Sequence, residues 1–387
     1  MKIARMTIHS VALPFRLGRY SFSGEREMDG ADSTVICLET DCGLRGYGEV
    51  CPAGASYIPQ NPEAARACLA LLGPKIMGLD PREIGVVNTT MSKAVSGHDY
   101  AKAPIDMACW DLLGQATGQP VHRLLGGRRA ESVPAHRAIA FGAPEEAVAT
   151  LEAHRARGFR HFQLKAGCGV KADIARISAV ADALGEDEVL CVDANGAWTF
   201  HEAMLILRGT GERDFILEEP CARYETNRSV RLHTNLPMKL DESIDDLRSL
   251  LKAQEDQTAD IVSIKLSKFG GLTGARLVRD LCERLGMVMN IECVFGSEIT
   301  SSAVAHLAIS TAPRHLLNAS HYGDYFDASL GEGSARVEGG RIVVDDRPGL
   351  GLRIDEAALG PPLMSFRAEA RPRRAASGRG AAVGEEA

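Results

Sequence analysis

The sequence predicts an α/β fold: a closed barrel of about eight parallel strands alternating with helices, preceded by an α+β module. Two observations carry this reading. From residue 133 onward, short apolar runs alternate with helical patterns, and strands linked through helices pair in parallel. In addition, Lys165, Asp193, Glu218, Asp241 and Lys265 each sit at or just past the end of such a run, at intervals of 28, 25, 23 and 24 residues. A strand, a loop and a returning helix consume about that length, so the five strand ends converge on one face of the barrel.

Taken in order, residues 3–13 and 34–40 have strand character, with Asp41-Cys42-Gly43 as a turn. Segments 17–30 and 51–61, rich in Gly, Ser or Pro, read as loops. A helix is expected over 62–72, capped by Asn61 and stopped by Gly73-Pro74, and others over 81–95 and 103–117, the last with Pro104 near its start and Gly118 at its end. The barrel strands are expected at 133–138, 161–164, 189–192, 215–217, 238–240, 260–264, 287–290 and 315–317. Beyond Ser320, a β-pair of 335–337 with 341–344 is expected to return to the first module. This divides the chain into a capping module at 1–127, a barrel at 128–320, a returning segment at 321–365 and a disordered tail at 366–387.

The 387 residues suffice for two domains with cores of their own. A formal charge of −7 and the lack of a basic cluster in the folded part argue against nucleic-acid or anionic-membrane partners. No apolar stretch reaches the roughly 18–20 residues of a membrane helix, and Met1-Lys2-Ile3-Ala4-Arg5 opens into a strand pattern and not a signal peptide. Ten cysteines are scattered without a C-x-x-C pair. Reduced thiols, a cytoplasmic location and no zinc site are expected.

One acid at a strand end is more often a helix cap or a solvated loop residue than a ligand. Three in successive units, Asp193, Glu218 and Asp241, would repel one another in a partly buried site unless a cation held them. Oxygen-only ligands favour a hard ion such as Mg²⁺. Lys165 and Lys265 flank the acids. Either could be a simple ion-pair partner, but a base working near neutral pH needs a lowered amine pKa, and burial beside a cation provides that. The set suits removal of a proton from a carbon acid. His98-Asp99-Tyr100 precedes a helix and reads as a structural element. Dinucleotide-binding, Walker and nucleophile-elbow patterns are all absent from the sequence.

The pattern resembles the enolase superfamily in its mandelate racemase/muconate lactonizing enzyme-like branch. The resemblance runs over about residues 1–363 and rests on Ala103-Pro104-Ile105-Asp106-Met107-Ala108-Cys109-Trp110-Asp111-Leu112, Leu125-Gly126-Gly127, Val192-Asp193-Ala194-Asn195-Gly196, Glu218-Glu219-Pro220, Asp241-Glu242-Ser243 and Lys265 with Gly270-Gly271. It implies a TIM-type (β/α)7β barrel with an α+β capping domain completed by the C-terminal segment. It also implies Asp193, Glu218 and Asp241 as Mg²⁺ ligands, and Lys165 and Lys265 as bases on opposite substrate faces. Such a site supports the ene-diolate formed on α-proton loss, a Lys- or His-base chemistry with Mg²⁺ that is a general property of this superfamily. Where relatives often carry Lys-x-Lys on the second strand, this chain has Gln163 before Lys165.

Substrate contacts are expected from Tyr20, Ser56, Tyr57, Gln163, Glu292 and Phe295, with Ser21, Ser23 and Cys51 in the same loops. Asn318-Ala319-Ser320 replaces the acidic pair with which dipeptide epimerases hold an amine. The chain looks most similar to members acting on proline derivatives, and Phe295 stands where betaine-recognising members use Trp, a stronger cation–π partner. Dehydration of cis-3-hydroxy-L-proline to Δ1-pyrroline-2-carboxylate is the expected activity. Epimerisation of a proline derivative such as hydroxyproline betaine is the alternative, and an inactive binding protein is the alternative of another class. A small amino-acid substrate and a homo-oligomeric state complete the expectations.

Overall fold

The computed structural model describes residues 1–16, 18–22 and 26–368, without the side chain of residue 22. The capping domain is built on an antiparallel sheet of β1 (Ile3–Pro14), β4 (Gly30–Thr40) and β5 (Arg45–Val50). Between β1 and β4, where a loop was expected, β2 (Tyr20–Phe22) and β3 (Arg26–Met28) form a hairpin. Each strand has only three residues, too few for an alternation to stand out from the surrounding Gly/Ser-rich sequence.

Helices α1 (Pro62–Ile76), α2 (Ile84–Ala94) and α3 (Asp99–Thr117) cover this sheet, and α4 (Val121–Leu124) ends the domain. Asn61 caps α1 by accepting from the Ala64 amide at 2.7 Å. The helix continues through Gly73-Pro74, contrary to expectation, because its buried face extends to Leu72 and Ile76 and outweighs the lost proline hydrogen bond. Pro104 likewise lies inside α3, of whose 19 residues 14 are buried. Helix α3 lies directly on β5: a Cβ on Gly48 would stand 1.8 Å from the Pro104 carbonyl oxygen, so only glycine permits that approach.

The barrel strands are β7 (His136–Ile139), β8 (His161–Lys165), β9 (Val189–Asp193), β10 (Ile216–Glu218), β11 (Met238–Leu240), β12 (Ile261–Lys265), β13 (Val288–Glu292) and β14 (Leu316–Ala319). They pair in parallel in sequence order, and an isolated parallel bridge, Ala135 with Ala319, nearly closes the ring. The helices between them are α5 (Pro144–Ala156), α6 (Val170–Asp182), α7 (Phe200–Thr210), α8 (Tyr224–Arg231), α9 (Leu247–Glu255), α10 (Leu272–Leu285) and α11 (Glu298–Ile309).

The first barrel strand begins later than residue 133. Val133–Pro134, here β6, leaves the barrel and pairs with β17 (Arg341–Val344), itself hairpinned to β16 (Ala335–Glu338). That C-terminal pair therefore docks at the entry to the barrel. Two short strands, β15 (Gly331–Glu332) and β18 (Arg353–Ile354), pair beside it. The return to the capping sheet is made by β19 (Met364–Arg367), which pairs antiparallel with β1 and runs past the expected start of the tail. Residues 369–387, most of that expected tail, lie outside the described residues.

All ten cysteines are free, and most are buried. Among the described residues no helix is long and apolar enough to cross a membrane.

Candidate active site

Alternation along a strand sends every second side chain into the barrel, and at the C-terminal ends those side chains are polar. Lys165, Asp193, Glu218 and Lys265 are the last residues of β8, β9, β10 and β12, and Asp241 follows β11 directly. Register makes them neighbours: Lys165 pairs with Asp193, Asp193 with Glu218, and Lys265 with Glu292. All five site residues are buried. In a ring of eight, β8 and β12 stand opposite one another, so the two lysines face across the three intervening carboxylate-bearing strands.

The carboxylates are engaged by cations of the chain itself. Lys165 Nζ donates to Asp193 Oδ2 at 2.6 Å. Lys265 Nζ donates to Asp241 Oδ2, and Lys268 Nζ to Asp241 Oδ1 at 2.9 Å. Lys239 Nζ lies 2.9 Å from Glu218 Oε1, yet without hydrogen-bond alignment, since that oxygen has no hydrogen-bond partner. Gln163 Nε2 donates to Glu218 Oε2 at 2.8 Å and to Asp193 Oδ2 at 3.2 Å. In place of a second lysine, Gln163 thus tethers two of the carboxylates.

Burial, then repulsion from Glu218, pushes the Asp193 carboxyl up despite Lys165. Burial acts on Asp241 in the same sense, but Lys265 and Lys268 hold it well below the usual carboxylate range. Burial alone would lower both amines, the direction expected of a base. Asp193 instead holds Lys165 well above its ordinary value, and Asp241 with Glu292 does the same for Lys265. At both amines the neighbouring carboxylates outweigh burial.

The donor set fits a hard divalent ion in chemistry. Three buried carboxylates on consecutive strands are available, one carries an oxygen without a hydrogen bond, and one has its pKa raised by burial and then by its neighbour. Among the described residues no three acidic, histidine or cysteine side chains stand as a preformed cage.

Above the carboxylates lies a cavity of about 60 Å³, lined among others by Tyr20, Tyr57, Gln163, Glu292 and Phe295. The capping domain contributes Tyr20, Ala53 and Tyr57 to its wall. Tyr57 accepts from Lys265 Nζ at 2.6 Å and donates to Asp241 Oδ2 at 3.0 Å. Tyr20 and Phe295 meet edge to face with ring centroids 5.6 Å apart. Ser56 does not line the cavity: it is exposed, and its carbonyl accepts from Arg26 at 3.1 Å. Ser23 lies outside the described residues.

Sequence reasoning missed Lys239, Lys268, Asn195 and His136. Asn195 donates to Asp193 Oδ2 at 3.0 Å and to Glu242 Oε1 at 2.9 Å. His136 lines the cavity, and burial followed by Lys239 keeps its ring well below the usual histidine range, hence neutral. A polar residue two positions before inward-facing Ala138 was the available signal.

Residues 15–126 match the family model of the mandelate racemase / muconate lactonizing enzyme N-terminal domain, and residues 146–358 the enolase C-terminal domain-like model. The chain belongs to the enolase superfamily. A mandelate racemase/muconate lactonizing enzyme from Roseovarius nubinhibens ISM superposes with a TM-score of 0.92 at 38% identity, covering 95% of this chain and 98% of that one. A member of the enolase superfamily from the same organism, complexed with magnesium, gives a TM-score of 0.89 at 35% identity over 95% and 99% of the two chains. Among curated relatives, a cis-3-hydroxy-L-proline dehydratase from Roseibium aggregatum is 42% identical over 95% of this chain and 100% of its own. A hydrophobic dipeptide epimerase from Enterococcus faecalis is 33% identical over 86% and 91%. Relatives with different reactions thus match this chain over most of its length.

Proposed function

We propose that this enzyme is a Mg²⁺-dependent hydro-lyase that dehydrates cis-3-hydroxy-L-proline to Δ1-pyrroline-2-carboxylate. The observation that carries the reading is two lysines facing each other across three buried carboxylates, under a cavity whose wall includes Tyr20 and Tyr57 of the capping domain. The 42% identity to a dehydratase over that relative's full length supports the choice of substrate.

Asp193, Glu218 and Asp241 would hold the metal. When bound, it offsets the charge of the carboxylates, lowers the pKa of both amines and stabilises negative charge developing on the substrate carboxylate. Lys165 then takes the α-proton. Lys265, on the other face, donates a proton to the departing 3-hydroxyl. In the cis isomer that hydroxyl lies on the ring face opposite the α-proton, so opposed lysines suit an anti elimination. Tyr57 keeps the Lys265 amine directed into the cavity, and neutral His136 offers the substrate a polar contact without adding charge. The enamine released tautomerises to the cyclic imine.

Inversion at Cα by the same two lysines is the second reading, favoured by their opposed placement and by the epimerase relative. Incubation with proline derivatives in D₂O with Mg²⁺, followed by proton NMR, separates the two. Loss of the 3-hydroxyl from the cis-3 isomer, much faster than from the trans-3 isomer, is expected. Deuterium incorporation and inversion of a proline betaine, with the cis-3-hydroxy compound untouched, would replace dehydration by epimerisation.

A further inference from the structure

The cavity is shared between two domains, and one buried carboxylate stands where they meet. Glu49, near the end of β5, is fully buried in the junction and carries no ion-pair partner among the described residues. Its oxygens accept from the Ser297 amide at 2.9 Å, the Ser297 hydroxyl at 2.8 Å, the Thr300 amide at 3.1 Å and the Thr300 hydroxyl at 2.8 Å. Ser33 of the neighbouring strand β4 adds a further hydroxyl at 2.6 Å. Ser297 is the N-cap of the barrel helix α11 and Thr300 lies in its first turn. A carboxylate of the capping domain thus satisfies the open amides of a barrel helix, where the helix dipole also favours negative charge.

What flanks this contact on each side decides its meaning. On the capping side, residues 51–57 follow Glu49 and bring Ala53 and Tyr57 into the cavity wall. On the barrel side, residues 293–295, which line the same cavity, lead into Ser297. We infer that Glu49 is a positioning residue for substrate: it locks the two cavity-lining loops in one register, so that affinity and choice of substrate depend on a side chain that touches no substrate. The catalytic lysines and carboxylates stand on strand ends and make no hydrogen bond to Glu49, so the chemical step feels this residue only indirectly, through Tyr57 and its contact with Lys265, and less than substrate binding does.

Glutamine at this position turns one acceptor oxygen into a donor facing donors. In Glu49→Gln the KM for the substrate should rise about tenfold, corresponding to roughly 1.4 kcal/mol, while kcat stays within about threefold. Thr300→Val, which removes one donor from the barrel side, should reproduce the shift at smaller size and guards against misfolding of the first variant. Asp111→Asn is the control. Asp111 is another buried carboxylate holding β5, through the Tyr47 amide at 3.2 Å and the Leu350 amide at 2.8 Å, and neither partner lines the cavity. It should leave KM unchanged.

The reading rests on the proposed dehydratase activity only for its kinetic readout. Amide hydrogen exchange of the free protein tests it without substrate: Glu49→Gln should speed exchange in both 51–57 and 293–300, and Asp111→Asn in neither. If wild type fails to dehydrate cis-3-hydroxy-L-proline but the exchange pattern holds, the substrate assignment falls and the positioning role stands. Unchanged exchange at 293–300 in Glu49→Gln, or an equal KM rise in Asp111→Asn, overturns the positioning role.

Discussion

In the proposed dehydration each of the two lysines has a distinct proton to move, so their loss should leave distinct traces. Lys165→Ala should abolish α-proton exchange of an L-configured substrate in D₂O, and with it dehydration. Lys265→Ala should abolish dehydration but keep slow exchange through Lys165; equal dehydration in both variants would show that other residues carry the protons. Asp193→Asn, Glu218→Gln and Asp241→Asn should each weaken Mg²⁺ binding, read by titration calorimetry, by more than the ~10- to 100-fold that loss of an outer-shell contact costs. Chelation should remove turnover reversibly, and full activity in metal-free protein would sink the metal assignment. These five residues were legible in the sequence because each is a charge ending an apolar run. Lys239 and Lys268 were not. Lys239 lies within the run of β11, where a single lysine reads as an outward-facing residue, and Lys268 lies in the loop after β12 with no periodicity to place it. What they neutralise, the unaligned Glu218 oxygen and the Asp241 carboxylate, is visible only once the strands are side by side.

Elements were legible where periodicity and caps agreed, as for the barrel strands, whose ends fell within a few residues of expectation. They were misread where packing overrode a local signal. Gly73-Pro74 ought to stop α1, but Gly73 packs against the Phe366 ring of β19, and the helix continues beneath that strand. A signal from residue 366 cannot be found by reading near residue 73. The same tightness makes a stability prediction for β5 and α3. Gly48→Ala would drive a Cβ into the Pro104 carbonyl, a backbone atom with no freedom to move aside. It should cost at least about 1–3 kcal/mol in urea unfolding. Gly85→Ala, in the middle of the first turn of α2 with open space around its Cα, should instead be neutral or gain about 0.4–1 kcal/mol. Comparable losses in both would mean that β5 and α3 are not in such close contact.

Across the whole molecule, the joint between α4, α11 and the C-terminal segment is made of histidines. His122 Nδ1 and His306 Nδ1 lie 3.1 Å apart, and His306 Nε2 lies 3.0 Å from the Ser334 hydroxyl. Burial pushes His306 down to about 3 and His122 to about 4, with His122 lowering His306 further and Arg128 lowering His122. Both folded values lie below the unfolded value of about 6.5, so the unfolded chain takes up protons first as the solution is acidified. Their contribution is complete above about pH 6.5 and is lost progressively as the pH falls toward 4 for His122 and 3 for His306. Calorimetric unfolding temperatures should follow that course, and His306→Asn should flatten it; an unchanged slope would remove the pair from the explanation. One further consequence follows from β19 pairing with β1. During synthesis the opening strand emerges first, yet its partner on that side is made only after the entire barrel. Until then β1 carries an unfilled row of backbone donors and acceptors, a template for misplaced pairing. A nascent chain halted before residue 364 should therefore be the form that most needs chaperone protection, even with its barrel already formed.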